Sequence, residues 1–115
     1  MKKLMLSLLA SMWIPAAALA ANWENVSLVD QMCAAKANVK ADPDKHPVSC
    51  LLKCANSGYG VLTADGKYLK FDKAGNEMAL AALKKTGKKD HVRVDVAGEQ
   101  KGDEISVSSL KLNES

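Results

Sequence analysis

Four side chains that can bind a transition metal lie in one stretch of the 115-residue chain. Cys33 comes first, and the segment HPVSCLLKC, residues 46–54, adds His46, Cys50 and Cys54. Three thiolates and one imidazole form a soft ligand set that suits Zn²⁺ or Cu(I). The pattern lacks the paired C-x-x-C knuckles of zinc fingers, and a C-x-x-x-C pair is a weaker signal. A Cys₃His metal site is therefore one of two main interpretations of these residues.

The other main interpretation is a disulfide. Cysteines of exported proteins meet an oxidising environment, and small exported domains often depend on disulfides for stability. A bond from Cys33 to Cys50 or Cys54 would close a loop and stabilise the fold by about 3 kcal/mol. One thiol is then left over, either buried as a small apolar group or joining two copies in a disulfide-linked dimer. A reversible redox bond between Cys50 and Cys54 is the weakest alternative, because a bond across one helical turn is strained.

The N-terminal segment determines which environment the cysteines meet. Residues 1–20, MKKLMLSLLASMWIPAAALA, contain two lysines, an apolar run and a small-residue ending, which is the layout of a cleaved secretory signal. The apolar run is short and is broken by Pro15, which argues against a transmembrane anchor. We expect cleavage after Ala20, a single mature domain of residues 21–115 without a transmembrane segment, and export to the periplasm or the medium of a bacterium.

Charge and composition argue against several functions. Loss of Lys2 and Lys3 with the signal lowers the formal net charge from +3 to +1. A nucleic-acid binder usually has a larger positive excess that is concentrated on one face. No serine lies in a nucleophile motif, the acidic residues are scattered through turns, and His91 is expected on the exposed side of a strand. We therefore predict a protein that is not an enzyme and does not bind nucleic acid.

The hydrophobic pattern predicts the elements that must position the cysteines. In chain order it indicates a strand at 26–29, helical segments at 30–40 and 48–56, strands at 59–64 and 67–71, a helix at 77–85, a strand at 91–97 and a last strand opening at 105. This order predicts a mainly β protein with helices, an OB-fold-like five-stranded barrel. A helix lies between its third and fourth strands, and a Cys-bearing helical insert follows its first strand. An open α+β sheet of the same strands is the alternative, because strand order does not establish closure.

Local signals indicate where these elements begin, turn and bend. The dipeptide Asp65-Gly66 supplies the positive φ angles of a tight hairpin turn. Asn76 can cap the helix that follows the hairpin. A break in the apolar alternation of the last strand indicates a bulge near Ser108 and Ser109.

Three segments also carry a resemblance to known proteins. They read VSLVDQMCAAK, CLLKCANSGYGVLTADGKYLKFD and DHVRVDVAGEQKGDEISVSSLKL, and together they extend over most of residues 26–112. The sequence resembles a group of small secreted bacterial proteins that are similar to exported bacterial OB-fold proteins. The resemblance implies a fold and a compartment. It implies no activity and no functional residue.

A binding surface on the barrel is the remaining class of function. Tyr68 and Lys70 share one side of a predicted strand and Tyr59 begins the preceding one, a sparse form of the aromatic and basic face on which OB-folds bind ligands. We predict an exported, non-enzymatic binding or interaction module, stabilised by a disulfide and without a cofactor, whose partner is an unknown protein or small ligand. The alternative is a periplasmic metal-binding protein with Cu(I) or Zn²⁺ as its cofactor.

Overall fold

The computed structural model describes residues 19–114. The predicted signal peptide lies outside these residues except for its last two, which open the first strand. The elements are β1 Leu19–Asp30, α1 Ala37–Ala41, α2 Val48–Lys53, β2 Tyr59–Leu62, β3 Tyr68–Phe71, α3 Lys73–Lys85, β4 Arg93–Lys101 and β5 Glu104–Asn113, with short 3₁₀ turns at Pro43–Lys45 and Ala55–Ser57. Within this part of the chain, none of the helices has the length and apolar character needed to cross a lipid bilayer.

The five strands form a closed barrel in the order β1-β2-β3-β5-β4. All pairings are antiparallel except that between β3 and β5. The long strand β1 closes the barrel because it pairs with β4 along its first part and with β2 through residues 27–30. A register shift between Trp23 and Val26, where Asn25 has a φ of 53°, bends β1 between the two partners. The predicted barrel, its helix and its cysteine-bearing insert are confirmed.

Alternate residues of the strands fill the barrel interior. This is why apolar residues at every second position predict a strand with one buried face. Val92, Val94 and Val96 are at most 2 % exposed, as their alternation predicts. Helix α3 adds Ala79 and Leu83 to the same core. Its approach to the barrel depends on Gly75, where a Cβ atom would lie only 2.5 Å from the Val107 Cγ2 and 2.8 Å from the Phe71 Cβ.

Several local predictions are corrected by side-chain hydrogen bonds. Helix α3 begins at Lys73, because the Asp72 carboxylate accepts the Gly75 N–H at 3.0 Å and caps the helix. Asn76 is not the cap, and its Oδ1 accepts the Tyr59 N–H at 2.8 Å instead. In the hairpin only Gly66 has a positive φ, 84°, and the Gly66 N–H donates to Thr63 O. The loop is therefore a type I turn followed by a glycine bulge.

The last two strands confirm the predicted bulge. Ala97 pairs with Ser109 and Gly98 pairs with Val107, so Ser108 is the extra residue in β5. Strand β4 runs on through Gly98 to Lys101, four residues beyond the predicted end at 97. It also begins at Arg93 and not at His91, whose φ of 54° is left-handed rather than extended.

The insert between β1 and β2 is less regular than predicted. Residues 31–35 form turns, and helix α1 starts only at Ala37. Helix α2 ends at Lys53 with Pro47 as its N-cap, and a 3₁₀ turn and Gly58, with a φ of 87°, complete the passage to β2. The start of α2 is held to the loop before β4 by the Val48 N–H, which donates to Lys89 O at 2.8 Å. The insert contains all three cysteines and His46, and it lies against the end of β1.

Candidate metal centre

Asp30 is the centre of the candidate site. It is the last residue of β1, it pairs across the sheet with Tyr59, and it is 0 % exposed. A buried carboxylate is costly unless it is hydrogen-bonded or paired with a positive charge. Both Asp30 oxygens have partners in the insert, and these partners are two of the predicted ligands, Cys33 and His46.

Cys33 is held by the turn that follows β1. Its N–H donates to Asp30 Oδ2 at 3.0 Å, and its carbonyl accepts the Lys36 N–H at 3.0 Å. This use of the Asp30 side chain as a turn acceptor explains why residues 31–35 do not continue as the predicted helix. The Cys33 side chain is buried, and burial raises the pKa of its thiol to about 11, with further increases from the hydrogen bond to Asp30 and from the Asp30 charge. Without a metal ion, Cys33 is therefore a protonated thiol at neutral pH.

His46 reaches the site because the segment before it is tied to β4. The Asp44 carboxylate accepts hydrogen bonds from Arg93 Nε at 3.1 Å and Nη2 at 2.9 Å, and Asp44 O accepts the His91 N–H at 2.8 Å. The Arg93 guanidinium holds the pKa of Asp44 below its usual value, so the carboxylate stays charged at neutral pH. The His46 side chain is 8 % exposed, and its Nε2 lies 2.8 Å from Asp30 Oδ1.

One ligand atom from each of Asp30, Cys33 and His46 lies within 4.8 Å of the other two. In a tetrahedral zinc site, bond lengths of about 2.0 to 2.3 Å place neighbouring ligand atoms about 3.3 to 3.8 Å apart. The cluster is therefore close to the size of a metal site: separations of up to 4.8 Å would have to shorten by about 1 Å, and the 2.8 Å contact between Asp30 and His46 is already shorter than this spacing. Of the four predicted ligands, the structure brings Cys33 and His46 into this group, whereas Cys50 and Cys54 lie outside it.

The other two cysteines flank this cluster on the α2 side. Cys50 lines an open cleft of about 530 Å³ together with Cys33, Lys36 and His46. Cys54 packs against the small apolar cluster that contains Cys33, and its negative charge when ionised would further raise the Cys33 pKa. All three cysteines are free thiols in the structure, and no pair of them stands at disulfide distance. The disulfide thus stays a prediction.

The two tyrosines predicted to form a binding surface have a different role. Tyr59 is 1 % exposed and its hydroxyl donates to Leu51 O at 2.7 Å, so the expectation of an exposed Tyr59 is wrong. The partly buried Tyr68 donates to Val29 O at 2.9 Å, and of these three residues only Lys70 is exposed. Burial and the Asp30 charge raise the pKa of Tyr59 to about 12 and that of Tyr68 further. Both hydroxyls fix backbone beside the site, on α2 and at the end of β1.

Asp30 is the site residue that sequence reasoning missed. It had been assigned to the start of a helix, and its carboxylate was not considered as a partner for Cys33 or His46. The available signal was a single acid that follows an apolar strand and precedes Cys33 by three residues. An aspartate at that spacing can accept the backbone N–H of the third residue on, which places the two side chains together.

No protein-family model matches this sequence, and neither the curated proteins nor the solved structures show a significant match. The resemblance to exported bacterial OB-fold proteins therefore stays a prediction from the sequence motifs. The barrel itself is observed in the structure.

Proposed function

We propose that this protein is an exported, non-enzymatic module that binds one zinc ion through Cys33, His46, Cys50 and Cys54. The observation that carries the proposal is that the Cys33 thiol, the His46 imidazole and the Asp30 carboxylate are all buried and lie within 4.8 Å of one another. A second thiol, that of Cys50, lines the same cleft as Cys33 and His46. A buried thiol and imidazole held this close are the beginning of a soft nitrogen and sulfur site.

Electrostatics favour a cation at this position. The Asp30 carboxylate is fully buried, and burial first and then the Asp30 charge raise the pKa of Cys33, Tyr59 and Tyr68 around it. A positive ion beside this buried negative charge would be stabilised by it. Metal binding would also remove the proton from the Cys33 thiol, since the thiolate is the form that binds.

The ligand types favour zinc. Thiolates and an imidazole in a tetrahedral arrangement are typical of structural zinc sites. A carboxylate hydrogen-bonded to the ligating histidine is also typical of zinc centres. Cu(I) shares the preference for thiolates, and metal analysis distinguishes the two ions.

A bound ion would stabilise the part of the chain that has the least core of its own. Helices α1 and α2 have five and six residues, and isolated helices of this length are unstable in water. Four ligands from the β1 turn, the 3₁₀ turn and α2 would join these pieces to the barrel. The ion would then do the work that the predicted disulfide was expected to do. Four protein ligands would leave no open position for a substrate, in keeping with a non-enzymatic role.

The test measures metal and thiols on one sample. The full chain is expressed, and the exported protein is purified without reductant or chelator and analysed for bound metals and free thiols. One zinc ion per chain and three thiols after unfolding in chelator support the proposal. One free thiol without metal supports the disulfide and refutes the metal site. One Cu(I) ion per chain would support the metal site but show that its ion is Cu(I) and not Zn²⁺.

A histidine pair provides a matched control. His46 and His91 each contact an aspartate at 2.8 Å, but the His91 side chain is 62 % exposed and that of His46 is 8 % exposed. The His46→Asn protein should lose bound zinc, whereas the His91→Asn protein should keep one ion per chain. Equal zinc content in both variants would contradict the assignment of His46.

A further inference from the structure

We infer that Asp30 is a positioning residue that directs His46 and does not itself bind the ion, so that His46 binds zinc through Nδ1. This inference rests on the proposed zinc site and specifies how the site is built. Asp30 lies close enough to Cys33 and His46 to be counted among the possible ligands. Its hydrogen bonds, however, indicate that it orients the ligands.

The hydrogen bonds of Asp30 are those of an orienting group. Its Oδ1 is engaged by His46 Nε2 at 2.8 Å and its Oδ2 by the Cys33 N–H at 3.0 Å. One carboxylate therefore holds both the imidazole ring of His46 and the backbone of Cys33 in place. A histidine that binds zinc commonly donates its other ring N–H to a carboxylate, which fixes the tautomer and makes the binding nitrogen more basic. With Nε2 turned to Asp30, Nδ1 is the nitrogen left for the ion.

The surroundings of Nδ1 agree with this assignment. Among residues 19–114 the structure gives Nδ1 of His46 no hydrogen-bond partner, although the side chain is only 8 % exposed. Two cysteines, Cys33 and Cys50, line the cleft together with His46, and Asp30 is not among its lining residues.

A ligand role for Asp30 would disrupt the arrangement that brings the residues together. For both Asp30 Oδ1 and His46 Nε2 to bind one ion, their separation must grow from 2.8 Å to about 3.3 Å and the hydrogen bond must break. If Nδ1 binds, that hydrogen bond is kept, and so is the bond from the Cys33 N–H. The observed contacts then persist in the loaded site.

The first experiment compares Asp30→Asn with the parent protein, using Co²⁺ as a spectroscopic probe and Zn²⁺ in competition with a chromophoric chelator. Loss of an orienting carboxylate should weaken zinc binding by about 10- to 100-fold. The Co²⁺ ligand-field and thiolate charge-transfer bands at saturation should be unchanged, because the ligands are the same. Changed bands would make Asp30 a ligand, and an unchanged affinity would remove its positioning role. Asp103→Asn, in the exposed hairpin between β4 and β5, is the control for loss of one negative charge.

A second measurement does not depend on whether the variant folds. The parent protein, labelled with ¹⁵N and loaded with NMR-active cadmium, should show coupling between the metal and Nδ1 of His46. Coupling to Nε2 overturns the inference. Failure of the parent protein to bind zinc, cobalt or cadmium would instead refute the proposed function, so the two failures can be told apart.

Discussion

Replacing Tyr59 by phenylalanine should destabilise the metal-free protein, although the residue was expected at a binding surface. The hydroxyl is buried, and it donates to Leu51 O, in the helix that carries Cys50, at 2.7 Å. Removing the donor leaves a buried carbonyl without this partner, which costs about 1 to 3 kcal/mol. A loss of about 2 kcal/mol, the middle of this range, is expected, because the Phe ring fills the same space and keeps its apolar contacts.

The assay is urea unfolding followed by far-UV circular dichroism, with chelator and reductant present. For an m-value of about 1.3 kcal/mol/M, the midpoint should fall by about 1.5 M. Tyr68→Phe is a second case of the same kind. Its hydroxyl also donates to a backbone carbonyl, that of Val29 at 2.9 Å, and burial raises its pKa further than that of Tyr59. A loss of about 2 kcal/mol is therefore expected for this variant too. An unchanged midpoint for Tyr59→Phe would refute the assignment of Tyr59 as an anchor of α2.

Three further predictions concern the helix packing, the Cys33 thiol and the ion pair that holds the insert. Gly75→Ala should lower the free energy of unfolding by up to about 2 kcal/mol, because overpacking costs about 1 to 3 kcal/mol and the gain in helix propensity offsets about 1 kcal/mol of it. Gly87→Ala, which has open space around it, should not be destabilised, and thermal unfolding compares the two. In the native metal-free protein Cys33, with its pKa raised to about 11, should be the last cysteine that iodoacetamide modifies, and mass spectrometric mapping that finds it first would contradict its burial. Because Arg93 lowers the pKa of Asp44, the stabilisation is complete above the usual aspartate pKa and disappears as the pH falls through the lowered value. Asp44→Asn should therefore lose less stability than the parent protein on acidification from about pH 5 to about pH 2 in chemical unfolding, and equal losses would contradict the role of the pair.

The barrel could be predicted because its main determinants are local in sequence. The alternation of Val92, Val94 and Val96 identifies a strand with one buried face, and the phase break before Ser109 locates a bulge. Strand order and the helix between the third and fourth strands then restrict the topology to few folds. Closure of the sheet depends on the bend of β1 at Asn25, which no residue pattern indicated.

Element boundaries were predicted less well because side chains from elsewhere compete for backbone groups. Asp72 caps α3 and moves its start to Lys73, while the Asn76 side chain accepts the Tyr59 N–H of strand β2. Asp30 captures the Cys33 N–H, so the segment after β1 turns and does not form a helix there. Tertiary contacts therefore determine where these elements begin and end, and the helix and strand propensities of the residues do not take such contacts into account.

The site was predicted by residue type and not by arrangement. Cysteine and histidine are recognised as ligands wherever they occur, so Cys33 and His46 could be selected from sequence. Their common partner Asp30 lies at the end of strand β1. Arg93, which binds Asp44 in the segment before His46, belongs to β4, a strand that pairs with β1. Contacts between residues so far apart in the chain exist only once the barrel has closed.

X-ray absorption at the zinc edge of the purified protein is the sharpest test of the proposed zinc site. A shell of three sulfur atoms at about 2.3 Å and one nitrogen at about 2.0 to 2.1 Å is expected. A shell of oxygen and nitrogen alone, or the absence of zinc from a protein whose cysteines are joined in a disulfide, would contradict the zinc site.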